Sequence, residues 1–330
     1  MNFLDQQRSN RRRTWAVMLA FVALALVVGA GFDLFVLGSA DEGVFVPVGS
    51  FMAFAVASGS ASISYFAGDR AVLRSTQAIP LETAMASADA DFRFTLTQLR
   101  NVVDEMAIAA GLPAPKVFVV PDSDGNAFAT GRDPEHASIA VTEGLLRTLT
   151  REELQGVVAH EMSHVRNYDI RLMTVVAALV GALALLSDFA GRFGRMGGGT
   201  SRKRDSKDSG AGAAVFLVIW LALILLAPLL GRLLAMTVSR QREYLADASA
   251  AELTRNPGAL ASALERIEAM AGPTKLVHQG TAHLCIADPM ALKLDDKEGR
   301  FADWMATHPP MKKRVALLRG MSYVTREQAL

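Results

Sequence analysis

The chain opens on two long apolar runs separated by a short polar turn. Trp15 to Phe32 is 18 residues without a charge, Val44 to Gly68 follows, and Asp41 and Glu42 lie between them. A run of roughly 18 to 20 apolar residues is enough to cross a bilayer as a helix. The pattern therefore predicts an N-terminal transmembrane hairpin over residues 1–68, with spans at about 15–32 and 44–68. A cleaved signal sequence has an apolar core of roughly 7 to 15 residues. The first run is longer and a second succeeds it at once, which argues against cleavage near Gly38-Ser39-Ala40. Arg8, Arg11, Arg12 and Arg13 precede the first run and put that end of the hairpin on the cytoplasmic side.

Two more apolar runs, Leu172 to Ser187 and Ala211 to Gly231, predict a second hydrophobic hairpin within residues 172–236. The loop 191–210 between them holds Gly197-Gly198-Gly199 and a net basic stretch from Ser201 to Asp208, and reads as flexible. If this pair spans, its basic loop lies outside, against the positive-inside rule. If it dips into the membrane or packs on the catalytic domain, that conflict disappears; the pattern leaves both open.

The remaining mass falls in residues 69–171 and 237–330. Each block is small for an independent domain, and they are read as two parts of one. Leu99, Val102, Val103, Met106 and Ala110 share one helical face. Lys116 to Val120, Ala127 to Thr130 and Ser138 to Thr142 read as short strands. Thr150 with Glu153 forms a capping box and Leu149 with Leu154 a hydrophobic staple, so a helix starts at that point. Asp122-Ser123-Asp124-Gly125 resembles a calcium loop, but its glycine falls at position four and no glutamate at twelve, so a turn is expected.

Hydrophobic residues make up 51% of the chain and the formal net charge is +1. The first value favours a membrane protein; the second argues against a nucleic-acid partner, which would need a basic face. The single cysteine, Cys285, excludes an intrachain disulfide and reads as a small buried hydrophobe.

The capped helix contains His160-Glu161-Met162-Ser163-His164. The i, i+4 spacing puts both imidazoles on one helical face, and two such nitrogens suit tetrahedral Zn²⁺. Glu161 then leans toward the open fourth position, where it can take a proton from water. The longer H-E-x-x-H-x-x-G-x-x-H pattern is absent, because Asn167 and Ile170 stand where its glycine and third histidine belong. The other histidines are His136, His278, His283 and His308. A better source of a third ligand is Arg240 to Asp247, in which Glu243 and Asp247 are again i and i+4. One of them can ligate while the other accepts an imidazole N–H; from spacing alone an exposed acidic face fits nearly as well.

Four motifs in order resemble the HtpX family of bacterial membrane zinc peptidases, relatives of the CAAX-prenyl endopeptidases. They are Asn126 to Gly131, His160 to Asn167, Arg242 to Asp247, and Thr307-His308-Pro309-Pro310 with Arg314 downstream. The likeness covers about Pro113 to Leu318 and the N-terminal hairpin. It implies a mainly α zincin-like domain with a small β-sheet, plus transmembrane helices, facing the cytoplasm from the bacterial inner membrane. It implies one Zn²⁺ per subunit on His160, His164 and Glu243, with Glu161 as base. The implied activity is endopeptidase cleavage of misfolded or membrane proteins in quality control.

Asn126, Ala127, Phe128 and Ala129 can be an edge strand that pairs with extended substrate, or an ordinary surface strand. Asp247, His308, Tyr244 and Arg314 are candidates for supporting the ligands or the transition state. His308-Pro309-Pro310 can equally just start the last helix. The rival reading is a non-catalytic membrane scaffold with structural zinc, which needs a fourth protein ligand such as His308. A transporter is disfavoured because the apolar runs hold almost no internal charges.

Overall fold

The computed structural model describes residues 3–33, 47–181, 240–270, 284–286 and 309–327. Expectations for loop 191–210, the run 211–231, His278, His283 and His308 lie outside the described residues.

The first two helices are α1 (Phe3–Phe32) and α2 (Val48–Ser75). They approach closely at Gly29, where an added Cβ would sit 2.6 Å from the Gly49 carbonyl oxygen. Just past α1, the Asp33 carboxylate accepts from Gly49 N at 2.6 Å and Ser50 N at 2.7 Å. It thereby satisfies donors that open a helix and have no partner within it. Trp15 stacks on Tyr65 with ring centroids 5.9 Å apart. Outward, Leu19, Val27, Phe51, Ile63 and Phe66 are each 64–70% exposed, a face that water would not favour. Among the described residues, α2 is the one helix both long and apolar enough to cross a membrane.

Both helices outrun their apolar stretches. α1 starts at Phe3, so the arginine-rich segment is helical. Nor does α2 end near Gly68; it continues through Asp69 and Arg70 to Ser75. The reason is packing, since Val72 and Leu73 bury themselves against Val120, Phe128, Ala140 and Met173.

Next come β1 (Ile79–Pro80), α3 (Leu81–Ser87) and α4 (Ala90–Ala110). Asp89 accepts from Phe92 N to cap α4, and Gly111 ends it in a left-handed conformation at φ 66°. Three strands form on the expected segments: β2 (Lys116–Val120), β3 (Ala127–Thr130) and β4 (Ser138–Thr142). With β1 they make a sheet of order β1-β2-β4-β3 among the described residues. β2 runs parallel to β4, and β1 and β3 are antiparallel to their neighbours. Gly131 ends β3 at φ 141°, and a Cβ there would meet the His136 carbonyl oxygen at 2.4 Å, so glycine is required. The Asp122 to Gly125 segment is a loop in which Asp124 N donates to Asp122 Oδ1 at 3.2 Å.

After α5 (Glu143–Thr148), the expected capping box opens α6 (Arg151–Arg166). Helix α7 occupies residues 169–181, and its Leu172, Val175, Val176 and Leu179 pack with Val17, Met18 and Ala61 of the first two helices. The described chain resumes with α8 (Arg240–Thr254), α9 (Pro257–Met270) and α10 (Met311–Glu327). Pro310 immediately precedes α10 and accepts from Lys313 N and Arg314 N. α9 lies on α6 at Gly156, where a Cβ would come within 3.0 Å of Leu260 Cα. The main core joins Leu99, Val102, Val103 and Met106 of α4 to Ile139 and Val141 of the sheet. It also takes in Val157 and Val158 of α6 and Leu260 and Leu264 of α9. Ala110, at the end of the predicted α4 face, is only half-buried. The fold is thus mainly helical with a small mixed sheet, and α6 runs through its middle.

Candidate metal centre

Because the middle of α6 is sandwiched, its polar side chains from His160 to His164 are as buried as the apolar ones beside them. His160 and Glu161 are each 1% exposed and His164 is 3% exposed. Such burial of ionisable groups is costly unless they are paired or hold a metal. α8 brings Glu243 and Asp247 to the same place from the other polar block, at 2% and 3% exposure. The acidic pair is therefore not a solvated face.

Nε2 of His160 and Nε2 of His164 are 3.3 Å apart. Glu243 Oε2 lies 3.7 Å from His160 Nε2, and Glu243 Oε1 lies 3.6 Å from His164 Nε2. A tetrahedral zinc with ligands at about 2.0–2.1 Å separates neighbouring ligand atoms by roughly 3.3–3.4 Å. The three groups fit such an ion. The Nδ1 atoms point elsewhere. His164 Nδ1 lies 3.1 Å from Asp169 Oδ2. His160 Nδ1 lies 3.0 Å from Asp247 Oδ1, close, but without the alignment of a straight hydrogen bond. A carboxylate beside Nδ1 keeps that nitrogen protonated and leaves Nε2 free to bind metal.

The electrostatics follow from burial. Desolvation lowers His160, outweighing the Asp247 carboxylate. For His164 burial also acts downward, but the bond to Asp169 and the charge of Glu243 prevail and raise it to about 9 in the metal-free site. Glu161 is pushed up to about 7, chiefly by burial and further by Glu243; His164 and the Ala129 N–H act against this. Its Oε2 is buried without a hydrogen-bond partner among the described residues.

Arg314 is fully buried. Its Nε donates to Asp247 Oδ2 at 2.8 Å and its Nη2 to Asp247 Oδ1 at 2.7 Å, a two-pronged grip. Burial would raise the Asp247 carboxyl, but the two bonds from Arg314 hold it below the usual range. Nη1 lies 3.7 Å from Glu243 Oε2 and donates to the Ile286 carbonyl at 3.0 Å. Arg314 thus braces the acidic pair. Tyr244 is half-buried, with Lys313 Nζ 5.7 Å from its ring. His136 is on an exposed turn with its Nδ1 2.6 Å from Asp133, so it does not join the centre.

β3 borders the site, and its Ala129 N–H acts to lower the Glu161 carboxyl. Its outer edge, expected to be open, is partly taken. Ile286 N donates to the Ala127 carbonyl at 3.0 Å, and Phe128 bridges antiparallel to Cys285. Asn126, Ala127, Phe128 and Ala129 are all buried. An uncharged strand edge collects a partner where it can, and this chain supplies one.

Two supporting residues escaped the sequence reading. Asp169 follows the second histidine by five positions and reaches it because Tyr168, at φ 58°, reverses the chain after α6. Holding a non-glycine residue there costs roughly 1–2 kcal/mol. Arg242, 2% exposed, stands 3.4 Å from Asp169. Asp169 opening an apolar helix, and Arg242 beside Glu243, were the available signals.

A mainly helical domain with a small sheet, crossed by a buried His-His-Glu cluster on two helices, defines a metallopeptidase. Residues 95–322 match the model of Peptidase family M48. The chain belongs to that family. It is 44% identical to the Protease HtpX homolog of Thermoanaerobacter pseudethanolicus, over 79% of this chain and 80% of that one. It is 42% identical to the homolog of Levilactobacillus brevis and 39% to that of Limosilactobacillus fermentum, each over 96% of this chain and 99% of the relative. A weaker likeness is to the crystal structure of S. mikatae Ste24p, with TM-score 0.46 and 18% identity over 96% of this chain and 67% of that one. The chain is a membrane metalloprotease, and polypeptides are its substrates.

Proposed function

We propose that the protein is a zinc endopeptidase of the bacterial inner membrane that removes misfolded or membrane proteins, as part of quality control under stress. The carrying observation is the trio of ligand groups, with the two imidazole Nε2 atoms 3.3 Å apart and a Glu243 oxygen 3.6 to 3.7 Å from each, beside a buried carboxylate with a free oxygen. His160, His164 and Glu243 hold the metal. Zinc bound there supplies Lewis acidity, which polarises a scissile carbonyl and lowers the pKa of water to about 7.

Glu161 is the general base. Its buried Oε2, without a hydrogen-bond partner among the described residues, is the atom that accepts the water proton and passes it to the leaving amine. Asp247 and Asp169 keep the two imidazoles turned to the metal, and Arg314 keeps Asp247 charged. An extended substrate pairs with the outer edge of Asn126–Ala129, taking over the bonds that Cys285 and Ile286 make there now. His308 and Tyr244 are the candidates for stabilising the developing oxyanion, since Arg314 is engaged on Asp247 and the Ile286 carbonyl. Multi-pass anchoring through residues 15–32 and 44–68 sets this site on the cytoplasmic side, where the basic flank of α1 belongs.

The test measures zinc content and cleavage of an unfolded soluble protein in detergent, for wild type and Glu161→Gln. Equal zinc, with cleavage lowered about 10²- to 10⁴-fold in the variant, supports the assignment. Equal zinc with no cleavage by either protein favours a structural metal in a membrane scaffold.

A further inference from the structure

The first helix reaches into the support of the metal centre. Because α1 begins at Phe3, its first turns extend beyond the apolar run and carry Gln7, Asn10 and Thr14. Asn10 is wholly buried although arginines surround it in sequence. Its Nδ2 donates to Asp169 Oδ1 at 2.6 Å and to the Asn167 carbonyl at 3.0 Å. Its Oδ1 accepts from Arg242 Nη1 at 3.4 Å, and the same Nη1 is 3.4 Å from Asp169 Oδ1. Thr14 Oγ1 donates to the Asn10 carbonyl at 2.9 Å, which fixes the backbone behind it.

The chemistry asks for an amide. One end must donate to a carboxylate and the other accept from a guanidinium, and Asn offers both in one planar group. With Oδ1 of Asp169 held by Asn10 and Arg242, Oδ2 is left facing His164 Nδ1. A buried carboxylate without that anchor would turn about its own axis, and the imidazole with it.

We propose that Asn10 is a positioning residue of the metal centre. Its side-chain amide fixes the Asp169 carboxylate that orients His164, so the first helix is part of the metal-binding apparatus as well as an anchor. The inference rests on His164 being a metal ligand.

Simple docking is served by a different residue. Gln7 Nε2 donates to the Arg166 carbonyl at 2.8 Å, so Gln7 ties α1 to α6 through the backbone. The test uses the full chain in detergent in a Glu161→Gln background, which lacks the proposed general base. Zinc affinity is read by competition with a chromophoric chelator, and site geometry by the visible absorption of the Co²⁺-loaded protein. Asn10→Ala removes the amide; Asn10→Asp keeps its shape but turns a second carboxylate toward Asp169; Gln7→Ala is the docking control. Losing a partner that orients a ligand typically weakens metal binding 10- to 100-fold. Both Asn10 variants are expected to show about that loss and an altered Co²⁺ band, with Gln7→Ala matching the parent. Asn10 variants that bind zinc like the parent, or no worse than Gln7→Ala, overturn the inference. If Asp169→Asn weakens zinc and they do not, the metal-site reading stands and this inference alone falls. If the parent takes up no zinc, both fall.

Discussion

His160 and His164 each turn Nδ1 toward a buried aspartate, but different parts of the chain hold the two aspartates. Asp247, behind His160, is gripped by Arg314 through bonds of 2.8 and 2.7 Å. That arrangement lies wholly within the catalytic blocks. Asp169, behind His164, is held by Asn10 at 2.6 Å and more loosely by Arg242 at 3.4 Å. Half of this second arrangement comes from the helix that leads into the apolar N-terminal run. The same ring-to-carboxylate support therefore comes from one polar block beside His160 and depends on a residue of the first helix beside His164.

The difference can be sharpened by neutralising each aspartate. Asp247→Asn leaves the Arg314 charge buried without its two-pronged partner, and breaking a buried pair costs roughly 3–5 kcal/mol. A large drop in denaturant midpoint, together with weaker zinc binding, is expected; unchanged stability would contradict the role given to Arg314. Asp169→Asn is expected to weaken zinc by about 10- to 100-fold with a smaller loss of stability, because Arg242 is less closely engaged. Equal stability losses in the two variants would remove the contrast.

A subtler contrast lies in pH. His164 is raised to about 9 in the metal-free site, with Asp169 the leading upward influence, so near neutrality the ring is protonated and zinc must displace that proton. Apparent zinc affinity should then climb with pH until about 9, by at most tenfold per unit. Chelator competition at several pH values checks this. The slope should flatten in Asp169→Asn, whose ring lacks the carboxylate, and a flat wild-type profile would refute the assignment.

Much of this centre was legible in the sequence because its signals are local. A capping box fixed the start of α6, i, i+4 spacing put two imidazoles on one face, and the same spacing repeated in Glu243 and Asp247. The three strands of five, four and five residues were legible for the same reason. What was not legible depends on distance or on packing. Asn10 meets Asp169 across 159 positions, and Arg242 meets Asn10 across 232. A charge pair at Asp69 and Arg70 suggested an end to α2, but Val72 and Leu73 had a core to enter, and burial prevailed. The partner at the β3 edge, Cys285 with Ile286, lies more than 150 residues along the chain and has no pairing signature of its own.

The central claim is that two separate blocks of chain meet at one metal through Glu243. Its most direct test is the zinc content and affinity of the full-length protein, wild type against Glu243→Ala, after equilibration with a weak chelator. The account predicts about one zinc per wild-type chain and little retained by the variant, whose helical content stays the same. Wild-type affinity in Glu243→Ala would contradict it, and would mean that the carboxylate of α8 does not hold the metal.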